Sequence, residues 1–464
     1  MDKSEAGPAS GSSGYACPVC SKVWTFEKDL IDHAEQHNEF TRDLSLEEVS
    51  DILSSTIKED VTNKEITFLA YLLTYTEDDQ INLIYSGKSS AGKSYLPLEV
   101  ASYFPKNSLL ILAGASPTSF FHDQGSYDEL TKKTTVNLQN KILIFLDQPH
   151  YLLLERLRPL LSHDQRVLTY KITDRSKNEK LRTKTIELIG YPTVVFCSAK
   201  LSVDDQEKTR CMILSPEFSQ KKLDQSLELL AKKLANKAIF AESLESDLKR
   251  SFLRLRVLAL ARSEIHRVII RDERQVLARF RGERKYLLAR HQRDFPRVIS
   301  LIKALALLNF YNRERDKKSS SIYASNEDIQ EGTGLYDLVS QSNELGIQPE
   351  ALEIYQSIII PLYRGDLGIG RNDIARKYWE VYHEHIADRK LREELLPALE
   401  SSGLICLEAD PSDRRKSLVY PIDLLGPAKA GVDKRESGIK PLDTMGSQGQ
   451  RSPDAVVCSD GRLS

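Results

Sequence analysis

The spacing of apolar and polar positions changes several times along this chain. Five short apolar runs mark its middle: "INLIYSG" (81–87), "SLLILAGAS" (108–116), "KILIFLDQ" (141–148), "PTVVFCSAK" (192–200) and "RCMILSPE" (210–217). Turn or polar residues bound each run. Strands that do not alternate are covered on both faces, so the pattern predicts a buried, mostly parallel sheet with helices on either side. Between the third and fourth runs, "RVLTYKIT" and "TKTIELI" alternate around the basic stretch "DRSKNEKLR". That predicts a long β-hairpin over 166–192. Upstream, residues 39–75 carry apolar positions at helical spacing and predict two helices leading into the main domain. From about Leu223 to Lys318 the pattern is that of long, Arg-rich helices. Residues 319–425 read as a small helical domain closed by a β-ribbon.

Composition adds bounds. The chain has 464 residues, enough for two or three domains, and a formal net charge of −2, so any affinity for nucleic acid must be local. Such a local excess exists: residues 249–318 hold 20 Lys and Arg against 7 acids. The reading is a phosphate-facing helical surface. Six cysteines in so long a chain argue for a reducing compartment. No apolar run approaches the roughly 18 residues of a membrane span, and the N-terminus has no apolar core. The expectation is an intracellular protein, cytoplasmic or nucleoid-associated, with no membrane role. Residues 1–14 and 426–464 are rich in Gly, Ser, Pro or charge and read as disordered.

Two motifs carry chemistry. Cys17, Cys20, His33 and His37 stand at C-x2-C-x12-H-x3-H spacing. Two thiolates on a tight turn and two imidazoles one helical turn apart can close a tetrahedron on zinc. Tyr15, Trp24 and Leu30 supply a small core. Residues 15–38 thus resemble a C2H2 zinc finger, a small ββα unit. The resemblance places DNA-reading positions at Phe26, Asp29 and Asp32. Phosphates repel such an acidic helix, so docking, for instance to a replication protein, is expected before sequence readout. The second motif is "GKSSAGKS", Gly87, Lys88, Ser89, Ser90, Ala91, Gly92, Lys93 and Ser94, which fits G-x4-G-K-[ST] between a predicted strand and a predicted helix. Its backbone amides would cradle phosphates, Lys93 would reach the β- and γ-phosphates, and Ser94 would bind Mg²⁺. Asp147 ends the "ILIFLD" strand as the acid of the Mg²⁺ shell. Gln148 follows where a water-activating Glu is usual. No guanine-reading N-K-x-D motif is present, so ATP is the expected nucleotide.

The order of these motifs resembles the AAA+ ATPases over about residues 76–240, a P-loop α/β core with a parallel sheet. The resemblance implies that Ser198 is the sensor-1 polar residue. It makes Arg210 a candidate arginine finger toward a neighbouring subunit, with Arg182 or a plain surface arginine as alternatives, and implies a homo-oligomeric ring. A RecA-like core, the rival fold, would continue with another strand pair rather than helices. The hairpin resembles the pre-sensor-1 hairpin of minichromosome-maintenance and superfamily 3 helicases. That implies DNA backbone contacts from Arg175, Lys177, Lys180 and Arg182. Residues 241–318 would form a basic helical lid or connector, with Arg297 as a possible second sensor. Residues 319–425 resemble a winged helix-turn-helix, with Arg414, Arg415 and Lys416 at the wing. The reading is multidomain: an ATP-driven DNA motor of helicase or replication-initiation type. The alternative is a non-catalytic, ATP-dependent DNA-binding regulator that uses the finger and the winged helix.

Overall fold

The computed structural model describes residues 15–422 apart from 88–89, 115–124, 148, 175–181, 198–209, 218, 283–286, 288–290, 317, 346, 365–367 and 411–415. The chain divides into units 1–422 and 423–464. The second unit and the leader 1–14 lie outside the described residues.

The first unit is a multidomain α/β structure. It opens with a ββα module: β1 (Tyr15–Ala16) pairs antiparallel with β2 (Val23–Trp24), and α1 (Glu27–Ala34) follows. A helical collar comes next, α2 (Asn38–Thr41), α3 (Leu46–Leu53) and α4 (Val61–Leu72). Ser45 starts α3 with a capping box: its hydroxyl accepts from Glu48 N–H, and the Glu48 side chain returns to the Ser45 amide.

The central sheet holds β3 (Leu83–Tyr85), β4 (Leu109–Leu112), β7 (Ile142–Phe145), β10 (Thr193–Cys197) and β11 (Met212–Leu214). All five are parallel, in the order β11-β3-β10-β7-β4. Successive side chains on a strand point to opposite faces. Leu83, Tyr85, Ile142, Ile144, Val195 and Met212 therefore join α4, α5 (Tyr95–Ala101) and α11 (His291–Leu308) in one core. Ile84, Leu143, Phe145, Val194 and Phe196 face the other way, against Leu153, Leu157 and Leu160 of α6 (Tyr151–Leu161). Two-sided burial explains why these strands read as continuous apolar runs.

The hairpin forms as β8 (Val167–Asp174) and β9 (Arg182–Ile189), paired from Val167↔Ile189 to Asp174↔Arg182. It does not stand alone. The strands β5 (Ser126–Asp128) and β6 (Lys133–Asn137) extend it into a four-stranded sheet, β5-β6-β9-β8. Val136, Leu168, Ile186 and Leu188 root this sheet in the α6 core. After β11 come the helices α7 (Gln220–Ala235), α8 (Lys237–Glu245) and α9 (Leu248–Arg262), then the short strand β12 (Arg267–Ile269) and α10 (Glu273–Arg281). β12 joins β13 (Arg315–Asp316) and β14 (Ser321–Tyr323) in a small sheet.

The expected phosphate-facing arginine surface is corrected in part. Arg250, Arg256 and Arg297 are buried. Arg250 donates to the hydroxyls of Ser55 (2.9 Å) and Tyr103 (2.8 Å). Arg256 donates to the carbonyls of Phe40, Arg42 and Leu308 at 2.6–2.8 Å. Carbonyls at helix ends lack intrahelical donors, and a guanidinium supplies several at once. These arginines fasten the collar to α9 and α11.

The C-terminal part starts with α12 (Asn326–Leu345). Then α13 (Pro349–Ile354) runs through a π-helical turn, Tyr355–Ile359. β15 (Ile369–Gly370) and α14 (Arg371–Tyr382) follow. Next, α15 (Asp388–Lys390) passes through a second π turn, Leu391–Leu395, into Leu396–Ser401. β16 (Ile405–Ala409) and β17 (Ser417–Pro421) close a three-stranded sheet in the order β15-β17-β16.

Candidate functional site

Parallel strands bring their carboxyl ends to one edge, where ligands of open α/β sheets bind. Gly87 follows β3 at this edge, Asp147 follows β7, and β10 lies between those strands and ends at Cys197. The loop bends through positive φ at Gly87 (139°), Ser90 (63°) and Gly92 (95°). A Cβ on Gly87 would stand 3.0 Å from Ser215 Oγ, so this glycine answers to crowding as well as dihedral. Lys93 is only 9% exposed, and its Nζ donates to the Gly87 carbonyl at 2.9 Å. Burial depresses the Lys93 pKa. The Lys390 ammonium adds to this, while Glu350 and the Cys197 sulfur oppose it. Burial likewise pushes the Cys197 thiol up to about 12, against a hydrogen bond with Ser94. Pro97 is the third residue of α5, within the first turn, where proline is tolerated.

Sequence reasoning missed the residues that hold this loop. Asp60 precedes α4 with φ 52° and is buried. Its carboxylate accepts from Glu217 N–H (2.5 Å), from Asn63 Nδ2 (3.0 Å) and from Lys222 Nζ. Lys222 also reaches the Ala91 carbonyl of the loop at 3.4 Å. The one available signal was Asp at a helix start, and nothing local announces its long-range partners.

Other sequence-derived positions fall as follows. Asp147 is exposed at the loop edge, and Leu146 N–H bonds to the Leu112 carbonyl at 2.9 Å. His150 caps α6 by accepting from Leu152 N–H at 3.3 Å, and Glu155 is exposed. Arg182 opens β9 opposite Asp174. Arg210 is half-buried, with Nε donating to Ser162 Oγ at 2.5 Å. It precedes β11 and so lies at the amino end of the sheet, in a cleft of about 710 Å³ shared with Asp78, Asp79 and Asp164. Arg297 is at that same end, bound to Asp294 (2.6 Å) and to the Cys211 carbonyl (2.8 Å), which removes it as a second sensor for this loop. Lys416 is exposed just before β17. Lys88, Ser89, Gln148, Arg175, Lys177, Lys180, Ser198, Arg414 and Arg415 lie outside the described residues.

The second site is the Cys17, Cys20, His33 and His37 cluster, whose ligand atoms all lie within 4.8 Å of one another. His33 Nε2 is 3.3 Å from His37 Nε2 and 3.1 Å from Cys20 Sγ. A tetrahedron with Zn–N bonds of ~2.0–2.1 Å has an edge of about 3.3 Å, so the donor set fits zinc. Burial, then the neighbouring His37 and Lys22, hold the His33 pKa below its ordinary value, favouring the neutral imidazole that binds metal.

Tyr15 departs from its expected core role and is 48% exposed. Instead α1 is buried against the rest of the chain. Leu30, Ile31 and Ala34 are all buried and, with Cys17, join the core of the main body. Tyr311 donates to Glu35 at 2.9 Å, and Arg262 stands 3.6 Å from Glu27. The module is docked on its own chain, with Phe26, Asp29 and Asp32 left exposed.

No family model and no curated protein matches this chain.

Proposed function

We propose that this protein binds ATP with Mg²⁺ on the Gly87–Ser94 loop and hydrolyses it slowly, as an oligomeric, DNA-associated AAA+ ATPase. The observation that carries the reading is the strained loop at the carboxyl edge of a five-stranded parallel sheet, with Lys93 turned back onto the Gly87 carbonyl. Ser94 and Asp147 would hold Mg²⁺, a hard cation suited to hydroxyl and carboxylate oxygen. The ion supplies charge neutralisation at the phosphates when bound. The chain's own part is to wrap the phosphates with backbone N–H groups, set the Lys93 ammonium against them, and orient water with the Gln148 amide. An amide is a poor general base, but a loose phosphoryl-transfer transition state needs positioning and charge stabilisation more than deprotonation.

Helices rather than a strand pair follow β11, which favours AAA+ over a RecA-like core. Arg210 lies at the sheet end away from its own loop, so as an arginine finger it would act on a neighbour's nucleotide. The β8–β9 hairpin supports the DNA reading, with Arg175, Lys177, Lys180 and Arg182 on the backbone. The helix–strand–helix–helix–strand–strand order after α12 supports a winged helix-turn-helix. The Cys2His2 module is a zinc finger with an architectural role. The burial of Arg250, Arg256 and Arg297 subtracts basic surface and keeps the regulator reading as the second one.

Turnover separates the two. A motor shows ATP hydrolysis stimulated by single-stranded, duplex or forked DNA and abolished by Lys93→Ala. A regulator binds ATP tightly without turnover. Gln148→Glu then tests the amide: faster hydrolysis marks it as a brake, and loss of hydrolysis marks it as part of the working site.

A further inference from the structure

We propose that the leucine face of α7 is a docking surface for a second copy of this chain, seated in the cleft at the amino end of that copy's central sheet. The inference rests on the oligomeric ATPase reading above and names the contact that assembles it.

α7 has two different faces. Leu223, Leu227, Leu230 and Leu234 recur at spacings of four, three and four. At about 100° per residue they fall within an arc of roughly 60°. All four are exposed, by 38–63%, and α7 buries none of its residues. The opposite side of the helix faces its own chain: Gln225, Glu228, Leu229 and Lys232 line a crevice of about 390 Å³ against Asp51 and Lys64 of the collar. The root of the helix is fixed. Lys221 stands 2.9 Å from Glu59, and Lys222 bonds Asp60 and the Ala91 carbonyl of the loop. The leucines are therefore held outward as a row on a helix ~24 Å long. A continuous apolar row of this kind marks an interaction surface.

The cleft that holds Arg210 complements it. Phe295, Pro296 and Ile299 of α11 give that cleft an apolar wall, and Asp78 and Asp164 are exposed at its rim. On α7, Lys233 flanks the leucine row and Lys237 follows at the start of α8, both exposed. Arg293 adds a cation to the rim, and Asp224 on the other flank of the row offers it a carboxylate. Apolar meets apolar and each charge finds its opposite.

The exposed leucines do not fill their own chain's cleft. α7 is rooted at the carboxyl edge of the sheet and the cleft lies at the amino end. The contact is thus head-to-tail between copies, the kind that closes into a ring or continues as a filament. It also carries Arg210 of one copy to the root of its neighbour's α7, where Leu223 follows Lys222 and Lys222 touches the loop.

The experiment is sedimentation velocity on the full chain with Mg²⁺ and a non-hydrolysable imido analogue of ATP. Wild type is compared with a face variant, Leu227→Asp with Leu230→Asp, and a cleft variant, Asp78→Lys with Asp164→Lys, with melting curves as the check on folding. Each variant alone should lose roughly tenfold or more in association and sediment as a monomer. An equimolar mixture should form dimers and nothing larger, because one intact face meets one intact cleft. Pairing of α7 with α7 leaves the cleft variant assembled and the mixture without dimers; either result overturns the assignment. In wild type, amide exchange over 220–235 should slow as concentration rises through assembly, a readout that stands if a variant misfolds. Assembly unchanged in both variants, or exchange that ignores assembly, overturns this assignment alone. A wild type that binds the analogue through Lys93 yet stays monomeric at every concentration removes the oligomeric reading and this assignment with it.

Discussion

Glu65 carries the sharpest pH expectation in the molecule. It is 7% exposed on α4, and burial pushes its pKa up to about 7; Lys64 opposes the shift and Glu331 adds to it. A raised carboxyl pKa means that the folded state binds the extra proton between the unfolded value near 4.5 and about 7. This contribution to stability is therefore full below pH 4.5 and is lost as pH rises through 7. Glu65→Gln should leave stability at pH 4.5 nearly unchanged and raise it by about 1–3 kcal/mol at pH 8, as read from denaturant midpoints. An equal effect at both pH values would contradict the buried-carboxyl account. At this level the sequence was readable where chemistry fixes residue type and spacing, as in Cys17, Cys20, His33 and His37, which the fold gathers into one cluster. Asp60, Lys222 and Asn343 were not readable. Their long-range partners stand from 130 to 162 residues away in the chain, and nothing local encodes such a pairing.

The docked helix α1 shows what an element's second face can reveal. A free finger needs little more than Leu30 on this helix, but Ile31 and Ala34 are buried as well, in the core of the main body. That surplus was visible in "DLIDHAEQH" and is the signal that the module packs in cis. Ile31→Ala should cost about 2–4 kcal/mol of global stability if the docking holds, and within about 0.5 kcal/mol if the module hangs free. Chelating zinc should open α1 while α2 stays closed, because Arg256 ties the Phe40 carbonyl to α9. Hydrogen exchange over 27–41 reads this directly. The five parallel strands were legible because burial on both faces writes an apolar run. The β5–β6 pair was not, since "SYD" and "KTTVN" are short and largely polar, and β6 gains its place by pairing with β9 while β5 pairs only with β6. The Arg-rich helices misled for a related reason. Composition counts arginines but does not say which ones turn inward to cap carbonyls.

Across the whole molecule, the loop edge of the sheet is flanked by the collar through Asp60 and by α7 through Lys222, while Asn343 of α12 bonds both backbone groups of Ile213 within β11. Arg210 sits at the opposite edge. Under the proposed reading, Arg210 would complete a neighbour's nucleotide site and not its own. Arg210→Ala and Lys93→Ala proteins should each be inactive alone yet regain part of the ATPase rate when mixed, and no recovery on mixing would sink the trans assignment. The most direct test of the central claim is a calorimetric titration of wild type and Lys93→Ala with ATP and Mg²⁺. Saturable binding of one nucleotide per chain, weakened roughly tenfold or more by Lys93→Ala, is the predicted result. Absence of binding, or binding indifferent to Lys93, would contradict it.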